Sequence, residues 1–163
     1  MEDPAYLRRW GQGSWPTDEF TLAENIRDLE RHQREHLEGS AFTYTVLSPE
    51  GDRCLGCVYI TPIGVRITAD QIPQPHRPGP ESFTADVCFW VRLSLHADDL
   101  DSMLLSALKI WLQGQWQFDH TFFHTSLQDR RQQEIFTASG LEKIAQFQAD
   151  RPRPGGWMLY RLM

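Results

Sequence analysis

No apolar run in this chain of 163 residues is longer than Val87–Val91, far short of the ~20 residues a membrane-crossing helix needs. Basic residues are in deficit. Sixteen Lys and Arg against 22 Asp and Glu leave a net charge of -6 and a pI near 5.4. An acidic chain repels phosphate backbones and anionic membrane surfaces, so neither nucleic acid nor membrane is an expected partner. The opening Met1-Glu2-Asp3-Pro4 carries acids where a secretion signal has basic and apolar regions, which makes the cytoplasm the expected compartment. Cysteine is scarce: Cys54, Cys57 and Cys88 are an odd set that builds no disulfide framework, and free thiols are expected. There is no internal repeat and no second domain.

What is present suits a packed core. Forty per cent of the residues are hydrophobic, and six tryptophans and nine phenylalanines are among them. One domain of this length buries roughly two thirds of its unfolded surface. Residues 1–19, with Trp10, Gly11, Gly13, Trp15 and Pro16, read as an N-terminal loop or arm, and residues 20–163 as the domain. Thr21 with Glu24 forms the pattern of a capping box, Leu22, Ile26 and Leu29 share one face of the helix that follows, and Gly39 is a natural stop. Period two then takes over from Phe42 to Leu47. Ser48–Asp52 is a turn, and Cys54–Ile60, apolar on both sides, is a central strand paired with the first as a hairpin.

Five prolines between 62 and 82 exclude a sheet ladder there and predict a long stiff loop, with a short strand around Val65–Thr68. Such a loop either lines a binding site or simply connects two strands. Phe83–Leu93 is the next strand, with Asp86, Cys88 and Trp90 on one face. Leu100, Leu104, Leu108 and Trp111 form a helical stripe that ends at Gly114. Strand 121–126, helix 129–138 closed by Gly140, and a strand pair 143–148 and 157–162 joined by Arg151–Gly156 complete the order. This is an α/β chain with one mixed, mostly antiparallel central sheet flanked by helices.

The stretch from Val91 through the acidic turn to Leu104-Leu105 resembles the donor-binding segment of the GNAT acyltransferase superfamily. In that family a strand ends at a valine, and a loop and a glycine-bearing helix start follow, with a leucine pair soon after. Asp129, Gln132, Ile135-Phe136 and Gly140-Leu141 hold the offsets of a second pattern of that superfamily. Leu55-Gly56-Cys57-Val58 is similar to its central strands. The resemblance covers roughly residues 20–162. It implies two central strands splayed around acetyl-CoA or another acyl-CoA, with a small-molecule amine as acceptor and no metal. Main-chain groups at Val91, Arg92 and Leu93 would hold the pantetheine arm, and the turn His96, Ala97, Asp98, Asp99 and Asp101 would meet the diphosphate.

This sequence departs from that pattern. Asp99 and Asp101 stand in the glycine positions, where each close anion pair costs on the order of 1 kcal/mol even in water. Phe136 stands in the place of the usual tyrosine acid, and Asp129 in that of an asparagine. Two roles are open for the aspartates: Asp98 or Asp99 caps the helix, or Asp98, Asp99 and Asp101 bind a metal or a substrate ammonium. Asp86, partly buried, is a candidate base. In Cys54-Leu55-Gly56-Cys57 the two thiols of a regular strand would face opposite sides, which argues against chelation. His32 and His36 read as a solvated helix face. The expected activity is GNAT-like N-acyl transfer with a degenerate donor loop. The alternative is a non-catalytic GNAT-fold module that binds a ligand or a protein partner. An open sheet edge would suit a homodimer in either case.

Overall fold

The computed structural model describes residues 4–150 and 155–163. The start of the chain and most of the predicted Arg151–Gly156 connection lie outside the described residues. Helices α1 (Pro4–Gly11), α2 (Leu22–Glu38), α3 (Leu100–Gln115) and α4 (Arg130–Ala138) surround strands β1 (Phe42–Leu47), β2 (Cys54–Pro62), β3 (Thr84–Val91), β4 (His120–Ser126), β5 (Glu142–Ala149) and β6 (Gly155–Arg161). The six strands form one sheet in the order β1-β2-β3-β4-β6-β5. Every neighbouring pair is antiparallel except β3–β4, which is parallel. It is a single α/β domain with a mixed, mostly antiparallel sheet, as the periodicities predict.

Each face of the sheet has its own cover. Leu105, Leu108 and Leu112 of α3 and Phe136 of α4 pack with Val58, Ile60, Val87, Phe89, Phe123 and Tyr160 to make the main core. On the opposite face Tyr6, Leu7 and Trp10 of α1 cover Cys88 and Trp90. The proline-rich loop presses Ile67 and Ile72 onto Phe122 and Leu159. That loop therefore serves as a cover. Residues 65–68 form no strand, and a short 3-10 turn, Ala69–Gln71, follows them.

The capping box of α2 is present: Thr21 Oγ1 accepts from the Glu24 N–H at 3.2 Å, and Glu24 Oε2 accepts from the Thr21 N–H at 2.7 Å. Gly39 ends that helix in the left-handed region at φ 68°. Two expectations are corrected. Residues 4–11 of the supposed arm are helical, held by burial of Tyr6, Leu7 and Trp10. And α2 buries none of its residues: Leu22, Ile26 and Leu29 stay exposed. The stripe of α2 overhangs a cavity instead of entering the core.

Gly56 fixes the centre of the sheet. A Cβ there would collide with the Trp90 carbonyl oxygen on β3. Just before it, the β1–β2 register slips: Val46 pairs with Gly56, but Leu47 pairs with Cys54. The extra residue is a β-bulge, which reverses the side-chain alternation at that point.

Candidate functional site

Strands β3 and β4 are paired only from Thr84↔His120 to Val87↔Phe123. Beyond that point both continue, to Val91 and Ser126, without bonding each other. The gap between them is the splayed cleft that the resemblance implied. It opens toward the turn after β3, where Arg92 leads into a 3-10 segment, Leu93–Asp98, and then into α3. Val91 is buried at the strand's end, while Leu93 is partly exposed. His96, Ala97 and Asp98 lie in the 3-10 segment.

The aspartates of this turn do not cap α3. Asp99 occupies the cap position in the left-handed region, at φ 53°, and its side chain makes no capping bond. The carboxylates are instead held by Arg131, from the first turn of α4. Arg131 Nε donates to Asp101 Oδ2 at 2.7 Å, and Nη2 reaches Asp101 Oδ1 at 3.0 Å, Asp99 Oδ1 at 3.0 Å and the His96 carbonyl at 2.7 Å. Burial would raise the Asp101 pKa, but the Arg131 guanidinium outweighs it and holds the carboxyl below the usual range. The turn does hold a cation, then, and that cation is the protein's own. Among the described residues, no group of three or more His, Cys, Asp or Glu is arranged around a metal.

Two further contacts fill the cleft. Gln132 Nε2 donates to the Phe89 carbonyl at 2.9 Å, a group that β4 leaves unpaired by splaying away. Tyr6 of α1 stands edge-on to His96, with ring centres 5.4 Å apart. A cavity of about 230 Å³ remains at the mouth, lined by Tyr6, Arg9, Trp10, His96, Arg130 and Arg131 among others. This opening collects three arginines, of which Arg131 is already paired with Asp99 and Asp101, and one aspartate, Asp129. Phe136 is fully buried against Phe89, Phe123 and Tyr160. Asp129 Oδ1 accepts from the Gln132 N–H at 3.0 Å and caps α4.

Asp86 is fully buried, and its Oδ1 lies 2.7 Å from His124 Nδ1. Burial alone would push the His124 pKa down, but Asp86 and Cys88 beside it lift it to about 9. His124 is therefore held as an imidazolium beside Asp86. Arg66 Nη1 donates to Cys88 Sγ at 3.2 Å and stacks 4.6 Å over the Tyr59 ring. Asp86 lines neither the mouth nor the larger cavity described next; its Oδ1 pairs with His124, and its buried Oδ2 has no hydrogen-bond partner among the described residues.

That larger cavity, about 560 Å³, lies beside α2. Leu7, Trp15, Phe20, Leu22 and Leu29 wall it. Asp28, His32, Cys54, Cys57, Tyr59, Trp90 and Arg92 also line it. Because of the bulge, Cys54 falls on the same face as Cys57 and Tyr59, and all three pack against the α1 cluster. The expectation that the two thiols face opposite sides is overturned for that reason. Burial and the adjacent Arg31 hold His32 below the ordinary imidazole range. Sequence reasoning did not single out Arg9, Arg131 or the Asp86–His124 pair, and it met Gln132 only as a spacing match in the second pattern. The signal available for Arg131 was its place two residues after the cap Asp129; in the fold it faces Asp99 and Asp101.

These features define the GNAT fold, and solved structures share it. The ribosomal alpha-N-protein acetyltransferase RimL, in complex with coenzyme A, matches with a TM-score of 0.71 at 12% identity, over 98% of this chain and 81% of that one. A ribosomal-protein-alanine acetyltransferase from Vibrio fischeri matches with a TM-score of 0.69 at 12% identity, over 96% and 79%. A spermidine N-acetyltransferase from Vibrio cholerae gives 0.62 at 8% identity, over 86% and 76%. No protein-family model and no curated protein matches the sequence.

Proposed function

We propose that the chain is a GNAT-type N-acyltransferase that takes acetyl-CoA or another acyl-CoA and passes the acyl group to a small-molecule amine. The observation that carries this is the splayed β3–β4 cleft, at whose mouth Arg9 and Arg130 stand beside Asp129 and the Arg131 pairs with Asp99 and Asp101. The structural neighbours, acetyltransferases acting on ribosomal protein and on spermidine, support the reaction class. The main-chain cradle of the usual donor loop does not fit a diphosphate here. Asp99 and Asp101 bring carboxylates to it, and the Ser102 N–H bonds Asp101 Oδ1. Side chains fit better. Arg9 and Arg130 face the mouth, and a guanidinium binds phosphate with two parallel bonds. Val91, Arg92 and Leu93 would meet the arm of the donor, and His96 its phosphates.

Calorimetric titration with CoA and acetyl-CoA tests this. Binding is expected, and the double variant Arg9→Ala, Arg130→Ala should weaken it about tenfold or more, the loss of two charge-assisted contacts. No heat at millimolar ligand removes the acyltransferase reading. The second reading, a ligand-binding module without transfer chemistry, is favoured by Gln132, which already satisfies the Phe89 carbonyl, and by Phe136, which has no proton to give. It is the conclusion if CoA does not bind.

A further inference from the structure

We propose, resting on the reading of the cleft as a donor site, that Gln132 is a built-in competitor for that cleft. Its side-chain amide holds the place on β3 that an amide of the donor's arm would take, and a donor enters by displacing it. Strands β3 and β4 separate beyond Val87↔Phe123. Main-chain groups on the facing side of β3 lose their strand partner there, and a buried carbonyl left without a donor is costly. Gln132 Nε2 donates to one of them, the Phe89 carbonyl, at 2.9 Å. Only the nitrogen end of a side-chain amide can face a carbonyl oxygen, so the orientation of Gln132 is fixed.

The other end of the same amide sets this contact apart from an ordinary structural bond. Gln132 is 6% exposed, and its Oε1 is buried with no hydrogen-bond partner among the described residues. An amide that makes one bond and leaves its oxygen dry is weakly held, because nothing offsets the desolvation of that oxygen. The residues on either side of it are held more fully. Arg131 bonds Asp99, Asp101 and the His96 carbonyl. Gln133 Nε2 donates to the Ser126 and Leu127 carbonyls at 3.0 and 3.1 Å. The first turn of α4 is thus fastened to the turn before α3 and to the end of β4. Release of the Phe89 carbonyl is therefore the rotation of one side chain, with the helix staying in place. Room for that rotation lies next door, since Gln128, Asp129, Arg130 and Arg131 line the mouth cavity of about 230 Å³. The group that displaces Gln132 is an extended chain with secondary amides, which brings its own N–H to the Phe89 carbonyl. In CoA that is the pantetheine arm, and the nucleotide end has no part in the exchange.

Calorimetric titrations with CoA and with ADP, which lacks the arm, test this on the wild type, Gln132→Ala and Gln132→Met. Gln132→Ala should bind CoA about tenfold more tightly than the wild type, because the groove no longer has to be vacated first. Its affinity for ADP should be unchanged. Gln132→Met keeps the length of the side chain and removes the hydrogen bond. It guards against a packing defect in the alanine variant and should shift CoA in the same direction. CoA affinity that stays the same or falls in both variants overturns the proposal and leaves the donor site standing. Equal tightening of CoA and ADP also overturns it, since a loosened mouth would then be the cause. No binding of CoA by the wild type or either variant removes the donor reading and this proposal together.

Discussion

A single buried residue, His124, is expected to make the stability of this protein depend on pH. In the unfolded chain an imidazole titrates near 6.5; in the fold its pKa is lifted to about 9 by Asp86 and Cys88 against the opposing effect of burial. The folded state therefore holds its proton more tightly. The stabilisation is complete below about pH 6.5 and is lost as pH rises through about 9. Equilibrium urea unfolding across that window is expected to show a fall of about 3 kcal/mol, and His124→Gln should abolish the slope. Neither partner announced this pairing. Asp86 was legible as a strand residue sharing a face with Cys88 and Trp90. That His124 lies across from it depends on a parallel β3–β4 pairing that brings together residues 38 apart in the chain. No local pattern encodes such a distance. Phe136 shows the reverse case: its departure from the tyrosine pattern was legible, and the fold makes it an aromatic hub at 0% exposure.

At the scale of elements, helices with strong periodicity were legible and a short one was not. The stripe Leu100, Leu104, Leu108 and Trp111 announced α3, but the fully buried face is Leu105, Leu108 and Leu112, and the helix runs past Gly114 to Gln115. Helix α1 has eight residues, too few to be stable alone, and it exists because Tyr6, Leu7 and Trp10 find the sheet. The bulge at Cys54–Gly56 was hidden for a similar reason. It shows only in the register of the packed β1–β2 pair. The junction between β3 and α3 was placed correctly, yet its aspartates were assigned to capping or to an outside cation, while α4 supplies Arg131. Arg131→Ala leaves Asp101, 5% exposed, without its partner. Since Arg131 is itself partly exposed, the cost is expected to be about 2 kcal/mol rather than the larger figure for a fully buried pair. Below about pH 4 the wild type should lose the same contribution, because the folded Asp101 pKa is lowered and protonation then favours the unfolded chain. In thermal melts the gap between the two proteins should narrow as the pH falls below about 4; a constant gap would show that the carboxylate is not the partner that matters.

For the whole molecule, the α1 segment is the piece that joins distant parts. Trp10 is buried under the sheet, and Gln12 just beyond the helix accepts a bond from the Gly156 N–H at 2.9 Å, so the beginning of the domain is fastened to β6 near its end. Trp10→Ala is expected to cost roughly 3–5 kcal/mol, measured as a lower denaturant midpoint with an unchanged slope. A change below about 1 kcal/mol would mean that the helix is a detachable arm. The same helix stands between the arginine-lined mouth, through Tyr6, Arg9 and Trp10, and the chamber over the thiols, through Leu7. One thin partition thus serves two rooms. A guest that presses on it from either side changes the space left on the other, and thermodynamic reciprocity requires the influence to be equal in both directions.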